Sequence, residues 1–265
     1  MFWFGSHPTS PRSVATTLVL LVSASLLITA GCATAKPAAP PTPPYQPSYR
    51  YSLPPSPKDR VDVTVGLVAP QFTGAGEAYW EQSKRDHDTF VIRMRQSLTS
   101  SLEELLSSKG FTVAGPYDDI DSMTFPEKKG ADLVLYPLMN IDSGYTVGNV
   151  RVERDVDLLG NVSATTICDV SFAPSGAVQF VAAEPLSGEK MWIKKVDITQ
   201  PIRSFRGTGK VCQKQGVTQD IRNAWGQAHE ALFQTIMKNI DRYVNTEEFV
   251  MLKQQARELR DKKAY

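Results

Sequence analysis

A proline-rich stretch limits which part of this chain can form regular structure. Residues 33–60 read ATAKPAAPPTPPYQPSYRYSLPPSPKDR and hold nine of the 18 prolines in the sequence. Proline fixes φ and lacks an amide hydrogen, so neither a helix nor a sheet is expected there. A polyproline segment rises about 3.1 Å per residue, which predicts a spacer of up to about 90 Å. We therefore expect one folded domain, residues 61–265, after a tether spanning 32–60.

Tyrosines lie among these prolines, at positions 45, 49 and 51. Exposed aromatic side chains on a spacer indicate either a contact with the cell wall or a partner, or no specific role. The sequence leaves both interpretations open.

An uncharged apolar run precedes the spacer. Residues 14–31 read VATTLVLLVSASLLITAG, after a start whose only charged side chain is Arg12. Such a run is typical of a signal peptide, although about 18 apolar residues also suffice to span a bilayer. Its end, LITAGC at 27–32, resembles a bacterial lipobox. The resemblance implies a signal peptide over 1–31 and acyl chains such as palmitate on Cys32. An uncleaved anchor and plain secretion are the alternatives.

The charge balance excludes one class of partner. Lys and Arg total 29 against 28 for Asp and Glu, and cleavage before Cys32 would remove Arg12 and no acid. The mature chain would then carry equal numbers of both signs. Because nucleic-acid binding needs a concentrated positive surface, we expect no nucleic-acid partner. Ala33 follows Cys32 where an inner-membrane retention signal would have Asp, which favours the outer membrane.

Strand composition and helical periodicity alternate through the body. We predict a loop over 71–84, a helix over 88–109 and a helical turn over 125–129. The predicted strands are 61–69, 111–114, 131–141, 145–158, 161–172, 178–184 and 191–198. Two helices, capped by Thr218 and Thr246, close the chain. This order predicts an α/β (α+β) fold: a small βαβ unit continued by antiparallel hairpins into one mixed sheet, closed by a long C-terminal helix and a terminal amphipathic helix.

Two cysteines remain once Cys32 is acylated. Cys168 and Cys212 would pair in an oxidising compartment. A loop of about 45 residues gives about 4 kcal/mol in the chain-entropy model. The alternative is two buried free thiols.

Residues suited to catalysis are scarce. No GxSxG, HExxH or CxxC motif is present. His87 lies in a charged, exposed helix start, and His229 lies at the boundary of the apolar face of its helix. We expect no enzyme activity, no cofactor and no metal. Tyr79 and Trp80 form the best candidate ligand patch, since sugars pack on exposed aromatic faces. The alternative makes this pair an anchor that packs on the sheet.

Four stretches carry a family resemblance. They are LEELLSSKGFTV at 102–113, MTFPEKKGADL at 123–133, EPLSGEK at 184–190 and KQQARELRDKK at 253–263. In this order, after a lipid signal, they resemble the neuraminyllactose-binding hemagglutinin (HpaA-like) lipoprotein family. The resemblance implies an outer-membrane or surface lipoprotein, in some members part of the flagellar sheath and in others an adhesin for sialylated glycans.

The lysine-rich stretch proposed for sialic acid in that family would fall between positions 141 and 177. Here that interval contains only Arg151 and Arg154 as bases, so the glycan site does not carry over. We expect a non-catalytic outer-membrane lipoprotein of the adhesin or flagellar-sheath type. The alternative is a periplasm-facing assembly or maintenance lipoprotein that binds another envelope protein.

Overall fold

Strands and helices alternate along the chain in a computed structural model that describes residues 43–53, 55, 60–85, 89–142, 144–199, 203–214 and 218–263. All of them belong to one compact unit, Thr42–Tyr265. The predicted signal peptide, Cys32, the first part of the spacer and His87 lie outside the described residues.

The bounds of the elements follow the chain. The strands are β1 Thr64–Val68, β2 Gln71–Phe72, β3 Thr112–Tyr117, β4 Leu133–Asp142, β5 Tyr145–Val156, β6 Val162–Phe172, β7 Ser175–Ala183, β8 Lys190–Thr199 and β9 Arg203–Thr208. The helices are α1 Ala75–Arg85, α2 Thr89–Ser108, α3 Phe125–Gly130, α4 Gln219–Tyr243 and α5 Thr246–Lys263, with a 3₁₀ helix at Gly209–Gln213.

The main sheet is mixed, as the sequence predicts. Its order is β3-β1-β4-β7-β8, and β2 also pairs with β4. Helices connect the strands on one side of β4, so β1 runs parallel to both β3 and β4. The tight turn between β7 and β8 makes that pair antiparallel. The predicted α/β class, with hairpins and two closing helices, is confirmed.

The β5–β6 hairpin does not extend this sheet, which corrects the prediction of one sheet. Together with β9 it forms a separate three-stranded antiparallel sheet. β7 pairs with β4 along its whole length, from Val134↔Ala183 to Asp142↔Ser175, and β1 and β2 occupy the other edge of β4. No edge of β4 is left for the hairpin, so it pairs elsewhere.

Further elements differ from the sequence prediction, among them the two-residue strand β2, which lies within the predicted loop over 71–84. Residues 75–85 form α1 instead of a loop, because after Gly76 the segment EAYWEQSKR contains no helix breaker. β9 was not predicted, since its six residues pair with only one strand, β6. The helix α2 matches its predicted bounds within one residue, and Gly110 follows it with φ 92°, as a C′ glycine does.

The core lies between the main sheet and the helices α2, α4 and α5. Phe180 of β7, Phe233 of α4 and Phe249 of α5 are among its largest fully buried side chains. A smaller cluster on the opposite face of the sheet contains Met123 from the segment before α3. Among the described residues, no helix is both long and apolar enough to cross a bilayer.

A disulfide joins Cys168 of β6 to Cys212 of the 3₁₀ helix, with Cα atoms 5.6 Å apart. It closes a loop with a sequence separation of 44 and ties the second sheet to the segment that leads into α4. Replacing both cysteines by alanine is expected to lower the free energy of unfolding by about 4 kcal/mol. Urea unfolding with and without reductant measures this, and the double variant should not respond to the reductant.

Candidate functional site

The described titratable residues do not assemble into a metal site. Within the described ranges, no three His, Cys, Asp or Glu side chains are grouped so that they could hold a metal ion. His229 is fully buried in α4, where a ring nitrogen lies 2.9 Å from the carbonyl oxygen of Trp225. Its ring packs near Phe90 and Phe172. The predicted boundary position is therefore wrong, because the second sheet covers that side of α4.

Trp80, half of the predicted ligand patch, packs on the sheet. Its ring stacks on Phe72 with centroids 4.8 Å apart, and the guanidinium of Arg95 lies 5.5 Å from the ring centroid. These contacts match the alternative interpretation of an anchor. The backbone of Tyr79 lies in α1, but its side chain is outside the described structure. A ligand role for Tyr79 and Trp80 stays a prediction.

A shallow cleft of about 280 Å³ lies between the start of β8 and α5. Long and mostly charged side chains line it: Glu189, Lys190, Met191, Gln255, Glu258, Leu259 and Lys262. It is open to solvent and contains no aromatic side chain on which a sugar could stack.

Residues 43–51 of the predicted spacer are docked on the body. Asn223, near the start of α4, accepts from the amide of Tyr45 and donates to the carbonyl of Pro43. Asp241, near the end of α4, accepts from the Tyr51 hydroxyl at 2.9 Å. The 18 helical residues between these two rise about 27 Å, close to the 25 Å or so that eight polyproline residues span. Residues 43–51 thus run extended along α4.

Aromatic side chains hold this segment in place. Tyr49 is only 3% exposed, its ring centroid lies 5.6 Å from that of Phe233, and its hydroxyl donates to the carbonyl of Phe90. Gly226 makes room for Tyr45, because a Cβ at 226 would lie 2.8 Å from the Tyr45 ring. Burial, together with the hydrogen bond to Asp241, raises the pKa of Tyr51 to about 12.

The tyrosines therefore contact this chain's own α4. The absence of helix and strand over 43–53 agrees with the sequence prediction, but the segment is not a free spacer over that range. Only residues 33–42 remain between the docked segment and Cys32.

Glu230 makes the docking sensitive to pH. Its carboxylate accepts from the hydroxyls of Tyr45 and Ser48, the latter at 2.6 Å. Partial burial raises the pKa of Glu230, but these hydrogen bonds outweigh it and the pKa falls below its ordinary value. A lowered pKa in the folded state stabilises the fold above the unfolded-state pKa, and this stabilisation is lost as the pH falls through the folded-state pKa.

The wild type should therefore lose more stability between pH 5 and pH 3, roughly the range in which Glu titrates, than Glu230→Gln does. Urea unfolding of both proteins across this range measures the difference. Equal losses would show that Glu230 has no part in docking.

The β5–β6 hairpin projects beyond the rest of the second sheet. β9 pairs only with the stretch of β6 from Ile167 to Phe172, and every residue from 148 to 165 is exposed. Leu158 in the turn is fully exposed, and Leu159 is 87% exposed. Asp157 fixes the turn by accepting from the side chain of Asn161 and from the amides of Leu159 and Asn161, which also holds the pKa of Asp157 below its usual range.

The two faces of the projecting hairpin differ. One face carries Arg151, Glu153 and Asp155, and Glu153 pairs with Arg206 of β9 at 2.6 Å. The other face carries four exposed valines, at positions 150, 152, 156 and 162. Arg154 interrupts this apolar face. Arg151 and Arg154 thus lie on opposite faces, as their spacing predicts, and do not form a joint clamp for a carboxylate.

A set of ion pairs joins three of the four stretches that carry the family resemblance. Lys253 of α5 is 5% exposed and pairs with Asp132 and Asp62, each at 3.1 Å. Arg260 pairs at 2.7 Å with Glu184, which is fully buried. These residues dock α5 against the ends of the inner strands β1, β4 and β7, so their role is structural.

Comparison with known proteins supports the fold. No family model and no curated protein matches the chain. A solved structure described as a neuraminyllactose-binding hemagglutinin homolog from Helicobacter pylori is similar, with a TM-score of 0.51 and 16% identity over 80% of this chain and 99% of that one. At this identity the likeness shows a shared fold.

Two further solved structures match with lower TM-scores. A minor lipoprotein from Acinetobacter baumannii covers 69% of this chain and 90% of its own, with a TM-score of 0.25 and 12% identity. The PelC dodecamer from Paraburkholderia phytofirmans covers 68% and 94%, with a TM-score of 0.25 and 14% identity.

Proposed function

We propose that this chain is a bacterial outer-membrane lipoprotein, anchored through acyl chains on Cys32, that acts by binding and not by catalysis. The lipobox-like sequence at 27–32 supports the anchor, and the fold shared with the Helicobacter pylori structure agrees with it. The observation that carries the anchor is the lipobox-like end of the apolar run, LITAGC at 27–32. The docking of residues 43–53 along α4 limits the reach of the tether. It leaves ten residues, about 31 Å of extended chain, between the docked segment and the lipid.

The adhesin or flagellar-sheath version of this function is supported by the family resemblance of four stretches and by the shared fold. Recognition of a sialylated glycan needs cations or oriented N–H donors for the carboxylate, and an aromatic face suits the sugar ring. Arg151 and Arg154 point to opposite faces of the hairpin, and the Trp80 ring is stacked on Phe72. Neither this arginine pair nor the Trp80 ring therefore supports the adhesin version.

The length of the tether supports the periplasm-facing version of this function. An adhesin benefits from a long spacer, whereas a body that ten residues can hold at most about 31 Å from its anchor works at the membrane surface. The short tether therefore favours a periplasm-facing assembly or maintenance role with another envelope protein as partner.

Proteinase K treatment of cells distinguishes the two versions. We expect the protein to survive in intact cells and to be degraded once the outer membrane is permeabilised. Degradation in intact cells, together with binding of the protein to sialylated glycans on an array, would favour the adhesin. Recovery of the protein in the soluble fraction without any acyl chain would contradict the proposal as a whole.

A further inference from the structure

We propose that the β5–β6 hairpin is a second membrane contact, in which the leucines of its turn and its apolar face enter the interface of a lipid bilayer. The proposal rests on the proposed lipid anchor for one point only, namely which membrane lies within reach. Its other support is the geometry of the hairpin.

The apolar face of the hairpin continues the core of the second sheet out into solvent. Below the bulge, Val147 pairs with the buried Val170. The register then shifts between Gly148 and Arg151, with Asn149 at φ 48°. One extra residue in β5 reverses the alternation of its side chains, so Val152 and Val156 stay on the core side of the sheet. Beyond the body, that side has nothing within the described structure to cover it.

The turn concentrates this exposed apolar surface at the far end of the hairpin. Leu158 and Leu159 are adjacent in this turn, and their exposed apolar side chains suit insertion among lipid tails. The amides of Leu159 and Asn161 donate to the Asp157 carboxylate, and the amide of Gly160 donates to the Asp157 carbonyl, so three amides of the turn have partners within the protein.

The tether and the hairpin leave the body at the same place. Pro43 lies at the start of α4, beside Asn223. Trp225, half a turn further along α4, contacts Tyr145 and Phe172 at the base of the second sheet. From Phe172 to Val162, β6 extends about 33 Å. Residues 33–42 reach about 31 Å, so Cys32 and the tip of the hairpin can meet one membrane surface.

A second copy of this chain is a poorer occupant of the same face. The projecting ribbon offers a strip of roughly 10 Å by 20 Å, from two strands and about six residues of length. That is about 200 Å², well below the 800 Å² or so per partner in a stable complex. Insertion into a bilayer does not require a complementary protein surface of that size.

The charges of the hairpin predict which lipids it prefers. Arg151 and Arg154 are outnumbered by Glu153, Asp155 and Asp157. Contact should therefore depend on apolar insertion, and anionic lipid should not strengthen it.

The test places a tryptophan in the turn of the mature, lipidated protein. Leu158→Trp is reconstituted in phosphatidylcholine vesicles with and without brominated acyl chains, and the unsubstituted protein supplies the background of the native tryptophans. We expect a blue shift and strong quenching of the added emission. Thr165→Trp, on the polar face of the same hairpin, is the matched control and should be quenched at least fivefold less. Adding phosphatidylglycerol should not increase quenching at position 158.

Each other result overturns the proposal. If brominated lipid leaves the emission from position 158 unchanged, the tip of the hairpin stays outside the bilayer. Emission that is already blue-shifted without vesicles, with a doubled mass, assigns the face to a second copy. Quenching that rises severalfold with phosphatidylglycerol assigns the contact to charge and not to apolar insertion.

A chain of residues 32–265 with Cys32→Ser separates this proposal from the proposed function. Without acyl chains, Leu158→Trp should still be quenched, although at tenfold or more higher lipid concentration. If native Cys32 proves unacylated but this quenching persists, only the anchor is wrong. If the lipidated protein binds vesicles without quenching at position 158, only the hairpin contact is wrong.

Discussion

Arg260→Met is expected to lower the free energy of unfolding by about 3–5 kcal/mol, because it leaves a buried carboxylate without its cation. Glu184 is fully buried, and the Nε of Arg260 donates to it at 2.7 Å. The same guanidinium donates to the carbonyl of Ala131 at 2.7 Å, so the substitution also leaves that oxygen without this donor. Urea unfolding at neutral pH measures the loss.

The effect should shrink in acid. Burial raises the pKa of Glu184, but the amides of Leu186 and Ser187 and the Arg260 side chain outweigh it, so the pKa lies below its usual value. Wild type therefore gains stability from this carboxylate above the unfolded-state pKa and loses it as the pH falls through the folded-state value. The stabilities of the wild type and Arg260→Met should therefore converge as the pH falls through the folded-state pKa of Glu184.

Two variants serve as controls for this prediction. Arg257→Met removes an exposed cation 3.7 Å from Asp132 and should cost less than about 1 kcal/mol. Combining Arg260→Met with Glu184→Gln should recover much of the loss, since no unpaired charge is then buried. A loss for Arg260→Met as small as that for Arg257→Met would contradict the structural role assigned to the pair.

Tyr49→Ala is expected to cost about 3–5 kcal/mol and to release residues 43–53 from α4. The ring of Tyr49 is buried against Phe233, and its hydroxyl donates to the carbonyl of Phe90 at 3.0 Å. Once the segment is released, trypsin should cleave after Arg50, whose carbonyl accepts from Gln234 in the docked state. Urea unfolding and limited trypsin digestion measure the two effects.

Tyr49→Phe is the matched control. It keeps the ring and removes one hydrogen bond, so it should cost about 1 kcal/mol and leave Arg50 resistant to trypsin. Rapid cleavage after Arg50 in the wild-type protein would show that the segment is free, and the short tether would then be wrong.

Local signals made the helices and most strands predictable. α2 and α4 have apolar stripes spaced by three and four, and Thr218 caps α4 by accepting from the amide of Ile221. α1 was missed because Gly74 and Gly76 read as a loop. Gly76 instead allows close approach to β4, since a Cβ there would lie 2.4 Å from the carbonyl oxygen of Met139. The close contact between α1 and β4, and not a loop, therefore accounts for the glycine at position 76.

The docking of residues 43–53 on the body could not be predicted from the sequence. Proline content correctly excluded helix and strand over 43–53, but it cannot show whether an extended chain is solvated or bound. The partners of Tyr45 and Tyr51 lie 185 and 190 residues away, at Glu230 and Asp241. The sequence left open whether the tyrosines contact a cell wall or partner or have no specific role, and only the fold identifies their partner as α4.

The hairpin was predicted as two strands, but its exposure was not. Alternating valines are typical of a strand with one buried face, and the sequence does not reveal that this face leaves the body at the bulge. The four stretches of the family resemblance were predictable as motifs, yet three of them prove to be the parts of a buried ion-pair cluster.

The measurement that tests this account most directly is the mass of the amino-terminal peptide of the mature protein, purified from membranes of its native host. The account predicts that the protein begins at Cys32 and that this residue carries acyl chains. A protein that begins at Met1, or one that begins elsewhere without lipid, would contradict the anchor and the membrane-bound role built on it.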